Sequence, residues 1–311
     1  MWVMKKVSLI GSQLVFLLWG MTLAIPNVIA QGCSDAGVCT IDVFKPSVKA
    51  GPATYRNTLE GGLSVGAADY GITAFGGSLG YSHDFSDVWS IDSKFTFLSQ
   101  SGNDISVMGP GDLFVNLNYD LSETFTVSAG TKIPFTQADK EYDGLPLPMD
   151  YQSSLGTLDV LAGIRFNPQH WQWALAAQVP VKQNNNQFFP GLYPPGSGLD
   201  SIQTTNAFKR KSDVLLHVSR TFDLNEKLTF TPGLMPIYHL GEDEYTDIDG
   251  VRKKITGSDG LTLNATLYAD IKTGDHGKLQ FSLGFPVIVR DARPDGLTRS
   301  FVFATGYSYL F

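Results

Sequence analysis

The chain has 311 residues, of which 23 are basic and 30 acidic, giving a formal net charge of −7. Its 43% hydrophobic and 12% aromatic content excludes a disordered protein, and its 2 cysteines exclude a disulfide scaffold. The negative charge argues against a nucleic-acid partner, which would need a basic face. Charged residues make up only 17%, and together with the many glycines and aromatic residues this favours antiparallel β-structure.

The first 30 residues are typical of a secretory signal peptide. Lys5 and Lys6 precede an apolar core over 7–25, and a small-residue cleavage site ends at Ala30. A transmembrane anchor is the alternative, but polar residues and glycines interrupt the apolar run. A lipidated Cys33 is a second alternative. We therefore expect an exported protein.

Residues 31–56 form a separate segment before the first strand and contain both cysteines. Because an exported chain meets an oxidising compartment, Cys33 and Cys39 are predicted to form a disulfide. A copper-binding or redox pair is the alternative. We predict no zinc site, because no histidine or further cysteine lies nearby in the sequence.

From residue 57 to residue 311 the sequence alternates between apolar and polar residues over stretches of about ten residues. This is the length of a tilted membrane-spanning strand, and no helical period is evident. The pattern predicts an all-β fold, an antiparallel transmembrane β-barrel of about twelve strands. The predicted strands are 57–67, 73–84, 88–99, 111–120, 124–135, 155–166, 171–182, 211–222, 228–240, 259–272, 278–290 and 299–311.

The predicted connections alternate between short turns and long polar loops, as a barrel with both termini in the periplasm requires. A soluble β-sandwich, the alternative fold, predicts no such asymmetry. The short periplasmic turns are predicted at 84–87, 120–123, 167–170, 223–227 and 273–277. The long extracellular loops are predicted at 100–110, 136–154, 183–210 and 241–258.

Aromatic residues mark the predicted membrane boundary. Chain-terminal Phe311, with Tyr309 and Tyr307 at alternate positions, is similar to the C-terminal signal that bacterial outer-membrane proteins present to the barrel-assembly machinery. We expect outer-membrane lipid and lipopolysaccharide around the barrel. The predicted girdle near the inner turns comprises Phe85, Trp89, Tyr119, Phe125, Phe166, Trp171, Phe222 and Tyr309.

Four strands contain a proline in their predicted outer half: Pro134, Pro180, Pro236 and Pro286. Proline cannot donate to a ladder, so each is predicted to mark a bulge or kink. The alternation predicts that three of the prolines face the lumen. Pro236 faces the lumen only if Pro232-Gly233 forms a bulge, and we predict that bulge. The prolines either kink the wall and permit lateral exit or simply end the strands.

Three motifs follow one another along the chain: a GxGD strand start at 109–112, an AGxKxP strand end at 129–134 and an LGTxxxD strand start at 155–159. In this order they resemble the transporters of the meta-pathway of phenol degradation, outer-membrane barrels thought to be related to the long-chain fatty-acid transporters. The match departs at Pro134-Phe135-Thr136, where the family tends to have Pro-Thr-Gly. The resemblance implies that residues 31–56 plug the lumen as a hatch; a segment that stays in the periplasm is the alternative.

Polar residues of mixed charge are predicted to face the lumen, together with the apolar residues Phe114, Leu161, Leu215 and Val302. The mixture favours a packed polar core, or a narrow path for small amphiphilic or aromatic solutes, over a single-sign selectivity ring. The inward polar candidates are Asp92, Lys94, Asp112, Asn116, Asn118, Lys132, Asp159, Arg165, Gln178, Lys182, Asp213, His217, Asn264, Asp270 and Lys272.

An outer-membrane phospholipase is the enzyme alternative, because His217 and Ser219 have the His-x-Ser spacing of that family. Both are predicted to face the lumen rather than lipid, so we expect no enzyme. The other histidines, His239 among them, are interpreted as surface residues. The acidic run 242–249 is interpreted as a divalent-cation patch or a solvated loop. The stretch 184–198 is interpreted as a loop, folded inward or not.

The sequence thus predicts an outer-membrane channel for passive uptake of small hydrophobic or aromatic organic molecules, without a cofactor or metal. The competing hypothesis is a plugged barrel that transports nothing.

Overall fold

The structure, a computed structural model, describes residues 55–296 and 299–311. The predicted signal peptide, the lipidation alternative and the Cys33–Cys39 disulfide lie outside the described residues. Of the predicted plug segment 31–56, only Tyr55 and Arg56 are described.

The predicted twelve-stranded antiparallel barrel is confirmed. Each long strand pairs with its neighbours in sequence, and the first strand pairs with the last to close the wall. A two-residue strand, Phe222–Asp223, continues the eighth. Two short strand pairs lie in the loops, Glu141–Tyr142 with Leu145–Pro146 and Glu244–Thr246 with Arg252–Lys254. The strands of the barrel wall are β1 Asn57–Ala68, β2 Thr73–Asp84, β3 Trp89–Gly102, β4 Ile105–Ser122, β5 Phe125–Pro134, β6 Leu158–Phe166, β7 Trp171–Lys182, β8 Asp213–Arg220, β9 Leu228–His239, β10 Gly260–Lys272, β11 Gly277–Ile288 and β12 Arg299–Leu310.

Alternation places apolar side chains on the outside of the wall and polar or small ones inside. In β7, Trp171, Trp173 and Leu175 are exposed on the outer surface, whereas Ala174 and Gln178 are buried in the lumen. Successive side chains of a strand point to opposite faces, so one sequence pattern serves both surfaces. Within the described residues, no helix is long and apolar enough to cross a membrane.

One end of the barrel has short turns and the other has most of the long loops; we call these the short-turn end and the long-loop end. The prediction of a long loop at 100–110 is wrong. There β3 and β4 continue and meet in a two-residue turn at Asn103 and Asp104, whose φ values are 50° and 60°. Two residues of positive φ form the turn that matches strand twist, and Asn and Asp tolerate it well. The 109–112 motif consequently lies within β4, not at its start.

The prolines behave in three different ways. Register shifts lie beside Pro180 in β7 and Pro286 in β11, and Pro134 is the last residue of β5. The predicted bulge at Pro232-Gly233 is wrong, because β9 pairs with β10 without interruption there. Pro236 therefore points outward, and the β8–β9 ladder has a gap beside it, since proline donates no hydrogen bond. Lateral exit through a kinked wall stays a prediction.

The lumen is filled unevenly. On the side of β4 and β6–β9, buried apolar side chains pack into a core. Around β1, β2, β11 and β12 the inward residues are mostly glycine, serine or alanine and leave space. The core consists of Phe114, Leu161, Ala174, Ala176, Leu215, Met235 and Ile237.

We expect Gly130→Ala in β5 to destabilise the barrel. A Cβ there would lie 2.5 Å from the backbone oxygen of Val115 and would meet the amide of Asn116. Such overpacking costs about 1–3 kcal/mol. Gly61→Ala is the matched control, because a Cβ at Gly61 meets no atom within 4 Å. The measurement is the urea midpoint of reversible folding into lipid bilayers; equal midpoints for the two variants would contradict the prediction.

Candidate functional site

The three motifs of the sequence resemblance meet in one buried hydrogen-bond network inside the barrel. The hydroxyl of Ser154 donates to Asp112 Oδ1 over 2.5 Å. Lys132 Nζ lies 2.9 Å from both Thr157 Oγ1 and Asp159 Oδ2. The side chains of Lys132 and Asp159 are 1% and 0% exposed, so this is a fully desolvated ion pair. The network joins the strand walls of β4, β5 and β6 to the end of the loop 135–157.

The loops 135–157 and 183–212 fold inward and cover the long-loop end. Asn184 Nδ2 donates to the carbonyl of Leu155, and Asn186 Nδ2 donates to the carbonyls of Ala138 and Leu147. Each of these amides replaces the water that a loop carbonyl would otherwise bind. Side chains of both loops pack with Ile72 and Ile105 into one apolar cluster: Ile72, Ile105, Leu147, Tyr151, Phe188, Leu199 and Ile202. The start of the stretch 184–198 thus folds inward, since Asn184, Asn186 and Phe188 are buried, whereas most of 191–196 is exposed.

A buried charge cluster ties the loop 183–212 to the described part of the last loop, 289–296. Arg210 is fully buried, and its Nη2 lies 2.5 Å from Asp213 Oδ2. Its Nε lies 3.7 Å from Asp295 Oδ2, which also lies 3.1 Å from Arg290 Nη2. Burial alone would raise the pKa of Asp295, but the two guanidinium groups hold it below its ordinary value. We call these four residues the loop latch.

The loop 240–259 joins the loop latch through His239. His239 Nδ1 lies 2.6 Å from Asp213 Oδ1, and His239 Nε2 lies 2.8 Å from Asp243 Oδ1. His239 is 1% exposed, so its interpretation as a surface residue is wrong. Because the ring bridges two carboxylates, burial is compensated by hydrogen bonds.

The acidic run does not form an open cation patch. Asp243 is fully buried, Glu244 lies 2.6 Å from Lys211, and Asp247 lies 2.6 Å from Lys253. Within the described ranges, no group of three or more His, Cys, Asp or Glu side chains is placed to hold a metal ion.

A cavity of about 250 Å³ lies below the covering loops. Its roof is formed by residues 152–155 and by Met149, and apolar side chains such as Leu98 and Phe114 contribute to its wall. The space exists because small residues face inward around the β1–β12 seam. They are Gly62, Ser64, Gly76, Ser78, Ser282, Gly284, Ala304 and Gly306.

The cavity wall also contains polar groups that can bind an uncharged solute. Hydroxyl groups of Ser64, Ser78 and Thr96 face the cavity from β1, β2 and β3. Lys94 and Glu60 stand beside them, with Nζ and Oε1 3.5 Å apart. The site therefore combines an apolar volume with a few hydrogen-bonding groups, which is the usual composition of a small-molecule pocket.

The predicted lumen residues lie mostly inside the barrel, but they form separate groups rather than one site. Lys94, Asp112 and Lys132 line the cavity. Lys182 is exposed at the end of β7, beyond the register shift at Pro180 that changes the strand's phase. The remaining candidates that lie buried or half-buried away from the cavity are Asp92, Asn116, Asn118, Asp159, Arg165, Gln178, Asp213, His217, Asn264, Asp270 and Lys272.

A polar layer lies toward the short-turn end. The amides of Asn116 and Asn118 donate to the two oxygens of Asp92 over 2.9 and 2.7 Å. Gln280 Nε2 donates to Asp270 Oδ1 over 2.7 Å. Both oxygens of Asp92 are thus hydrogen-bonded, and Asp270 Oδ1 also lies 3.7 Å from Lys278 Nζ, so these groups hold the strands of the lumen together.

His217 and Ser219 are both buried in the lumen, 1% exposed each. His217 Nε2 lies 3.1 Å from Thr266 Oγ1. A lipid-cleaving pair needs to face lipid, and these side chains do not.

Sequence reasoning missed the residues that lie in loops. Arg210, Asp295 and Arg290 are three of the four residues of the loop latch, and Met149 and Gln152 contribute to the cavity roof. None of them belongs to a period-two pattern. The run Asn184–Asn186 was the one available signal, because an amide run in a long loop indicates many hydrogen bonds to backbone.

We expect the roof to weaken as the pH rises toward neutrality. Asp150 lies in the loop 135–157, next to the roof residue Met149, and is 7% exposed. Burial raises its pKa from 3.8 to about 7, and the nearby carboxylates of Asp69 and Asp295 add to the rise, whereas a backbone hydrogen bond and Arg293 oppose it. The folded roof therefore prefers the protonated acid. Between pH 3.8 and about 7 each unit of pH removes about 1.4 kcal/mol of roof stability, and above that window the loss is complete.

The measurement is hydrogen exchange of the amides in 135–157 at about pH 5 and about pH 8, corrected for intrinsic exchange rates. The wild type should lose protection at the higher pH, and Asp150→Asn should retain it. Asp143→Asn, at an exposed position of the same loop, is the control. Equal pH dependence in Asp150→Asn and the wild type would refute the prediction.

No family model matches this sequence, and no curated protein matches it. The chain is similar in structure to the NanC porin, with 12% identity and a TM-score of 0.46, over 81% of this chain and 98% of that one. It is similar to a FadL homologue of Pseudomonas aeruginosa, with 11% identity and a TM-score of 0.38, over 82% of this chain and 75% of that one. It is also similar to the CymD monoaromatic hydrocarbon channel, with 9% identity and a TM-score of 0.42, over 92% of this chain and 99% of that one.

Proposed function

We propose that this protein is an outer-membrane channel for the passive uptake of small hydrophobic or aromatic organic molecules. The observation that carries the proposal is the cavity of about 250 Å³ inside a closed barrel whose outer wall is apolar. The protein performs no chemistry in this role; it provides a path through the lipid.

The outer wall supports a place in a membrane. Large apolar side chains such as Leu63, Phe75 and Leu79 are more than half exposed on the outward faces of β1 and β2. Soluble proteins rarely expose contiguous apolar surface on this scale. Aromatic pairs such as Trp89 and Tyr119, with ring centroids 4.6 Å apart, lie at the short-turn end, where a membrane interface favours amphipathic rings. A lipid and lipopolysaccharide environment, and assembly through the Phe311 strand, are parts of the same proposal.

The cavity volume supports a solute about the size of one ring. An apolar cavity of about 150 Å³ is enough to bind benzene. The present cavity is larger and has hydroxyl groups on its wall, so it accommodates a ring with a polar substituent.

The test is uptake by proteoliposomes. Liposomes with the purified full chain should take up benzyl alcohol faster than liposomes without protein, and single channels in planar bilayers should pass measurable current. Uptake at the protein-free rate would overturn the proposal.

A plugged barrel is the second candidate, favoured by the inward-folded loops and the apolar cluster that their side chains form. A plugged barrel predicts no channel current in the planar bilayer and no solute uptake above background. The same two measurements therefore distinguish the two candidates.

A further inference from the structure

Two of the charged groups on the cavity wall are balanced by opposite charges, and a third, the carboxylate of Asp112, accepts a hydrogen bond from Ser154 Oγ. Lys132 is paired with Asp159 over 2.9 Å, and both side chains are almost completely buried. Asp295 is paired with Arg290 over 3.1 Å. No excess charge of either sign is therefore offered to a solute by these groups.

The pair formed by Glu60 and Lys94 differs from the others in its access to the cavity. Their side chains are 17% and 12% exposed, and Lys94 Nζ lies 3.5 Å from Glu60 Oε1. Among the residues that the structure describes, it is the one ion pair with both members on the cavity wall. Lys94 is thus the accessible cation of the cavity, and Glu60 offsets its charge.

Moving a charged solute out of water into such a cavity is costly unless an opposite charge compensates it. With Glu60 beside it, Lys94 offers little net attraction to an anion, and Glu60 offers little to a cation. An uncharged solute avoids this cost and can hydrogen-bond to Ser64, Ser78 or Thr96.

We propose that the Glu60–Lys94 pair sets the charge selectivity of the cavity, so that uncharged solutes with a hydroxyl group pass in preference to carboxylates and ammonium ions. This inference rests on the proposed channel function. The charges of Glu60 and Lys94 offset each other. Removing the charge of Glu60 should therefore favour anionic solutes, and removing the charge of Lys94 should favour cationic ones.

The experiment compares uptake of benzyl alcohol, benzoate and benzylammonium by proteoliposomes containing the full chain. The wild type should prefer benzyl alcohol. Glu60→Gln keeps the side-chain shape and removes the charge, so the ratio of benzoate to benzyl alcohol uptake should rise about tenfold, as expected when an ion gains a nearby counter-charge. Lys94→Gln should raise the ratio for benzylammonium by a similar factor.

Asp87→Asn is the control, because Asp87 lies exposed in a short turn, 3.9 Å from Arg56, and away from the cavity. Its uptake ratios should equal those of the wild type. Unchanged ratios in the variants of the pair, or an equal change in Asp87→Asn, would overturn the inference while leaving the channel intact. Uptake of no probe above background by the wild type would instead overturn the proposed function. If one of the two variants fails to fold, the other tests the inference alone.

Discussion

Arg210→Met should open the long-loop end of the barrel and produce the largest change in conductance of any single substitution considered. Arg210 lies between Asp213 and Asp295, and all three side chains are at most 3% exposed. Removing one member of a buried ion pair costs about 3–5 kcal/mol, because the remaining charge is left in a low-dielectric site. The loops 183–212 and 289–296 should therefore separate from each other, while the strand pairings of the barrel persist.

Single-channel conductance and limited proteolysis of the outer loops measure this effect. The variant should show larger or longer openings and faster cleavage within 183–212. Lys211→Met is the control, because Lys211 and Glu244 are 36% and 19% exposed and such a pair contributes about 0–1 kcal/mol. If Arg210→Met and Lys211→Met gave the same conductance and the same cleavage rate, the loop latch would not hold the roof.

The strands were predictable because lipid and lumen impose opposite demands on alternate residues. From Trp171 to Val179 the outward residues of β7 are apolar and the inward ones are polar or small, so a single sequence reveals both faces. The pattern fails where the strands extend beyond the wall. Apart from Met108, the exposed residues of 100–110 are polar, so the sequence predicts a loop where the structure has the hairpin at Asn103 and Asp104.

The contents of the lumen were only partly predictable. Alternation placed Lys132 and Asp159 inward, but their contact depends on the register of β5 against β6, which one sequence does not determine. The covering loops were harder to predict, because Leu147 and Phe188 are buried in loops that have no hydrophobic period. Pro236 shows that a proline within a strand does not require a bulge. A local gap in the β8–β9 ladder accommodates it, while β9 and β10 stay paired.

Gly306→Leu should abolish most of the uptake of benzyl alcohol. Gly306 in β12 lies on the cavity wall, and an added Cβ there meets its nearest atoms, Gly61 O and Glu60 Oε1, at 3.6 and 3.7 Å. These are ordinary contacts, so the strand tolerates the side chain, which projects into the space that a solute needs. We expect the initial uptake rate to fall at least about tenfold, equivalent to about 1.4 kcal/mol of lost solute binding.

Gly61→Leu is the matched control, because Gly61 is exposed on the outer wall of β1 and has open space around it. The same leucine there should face lipid and leave uptake unchanged, and both variants should fold into bilayers with similar urea midpoints. Equal uptake by the two variants, at the wild-type rate, would show that solutes bypass the cavity. The path through the barrel would then run elsewhere, because a channel that uses this cavity cannot lose its volume without losing flux.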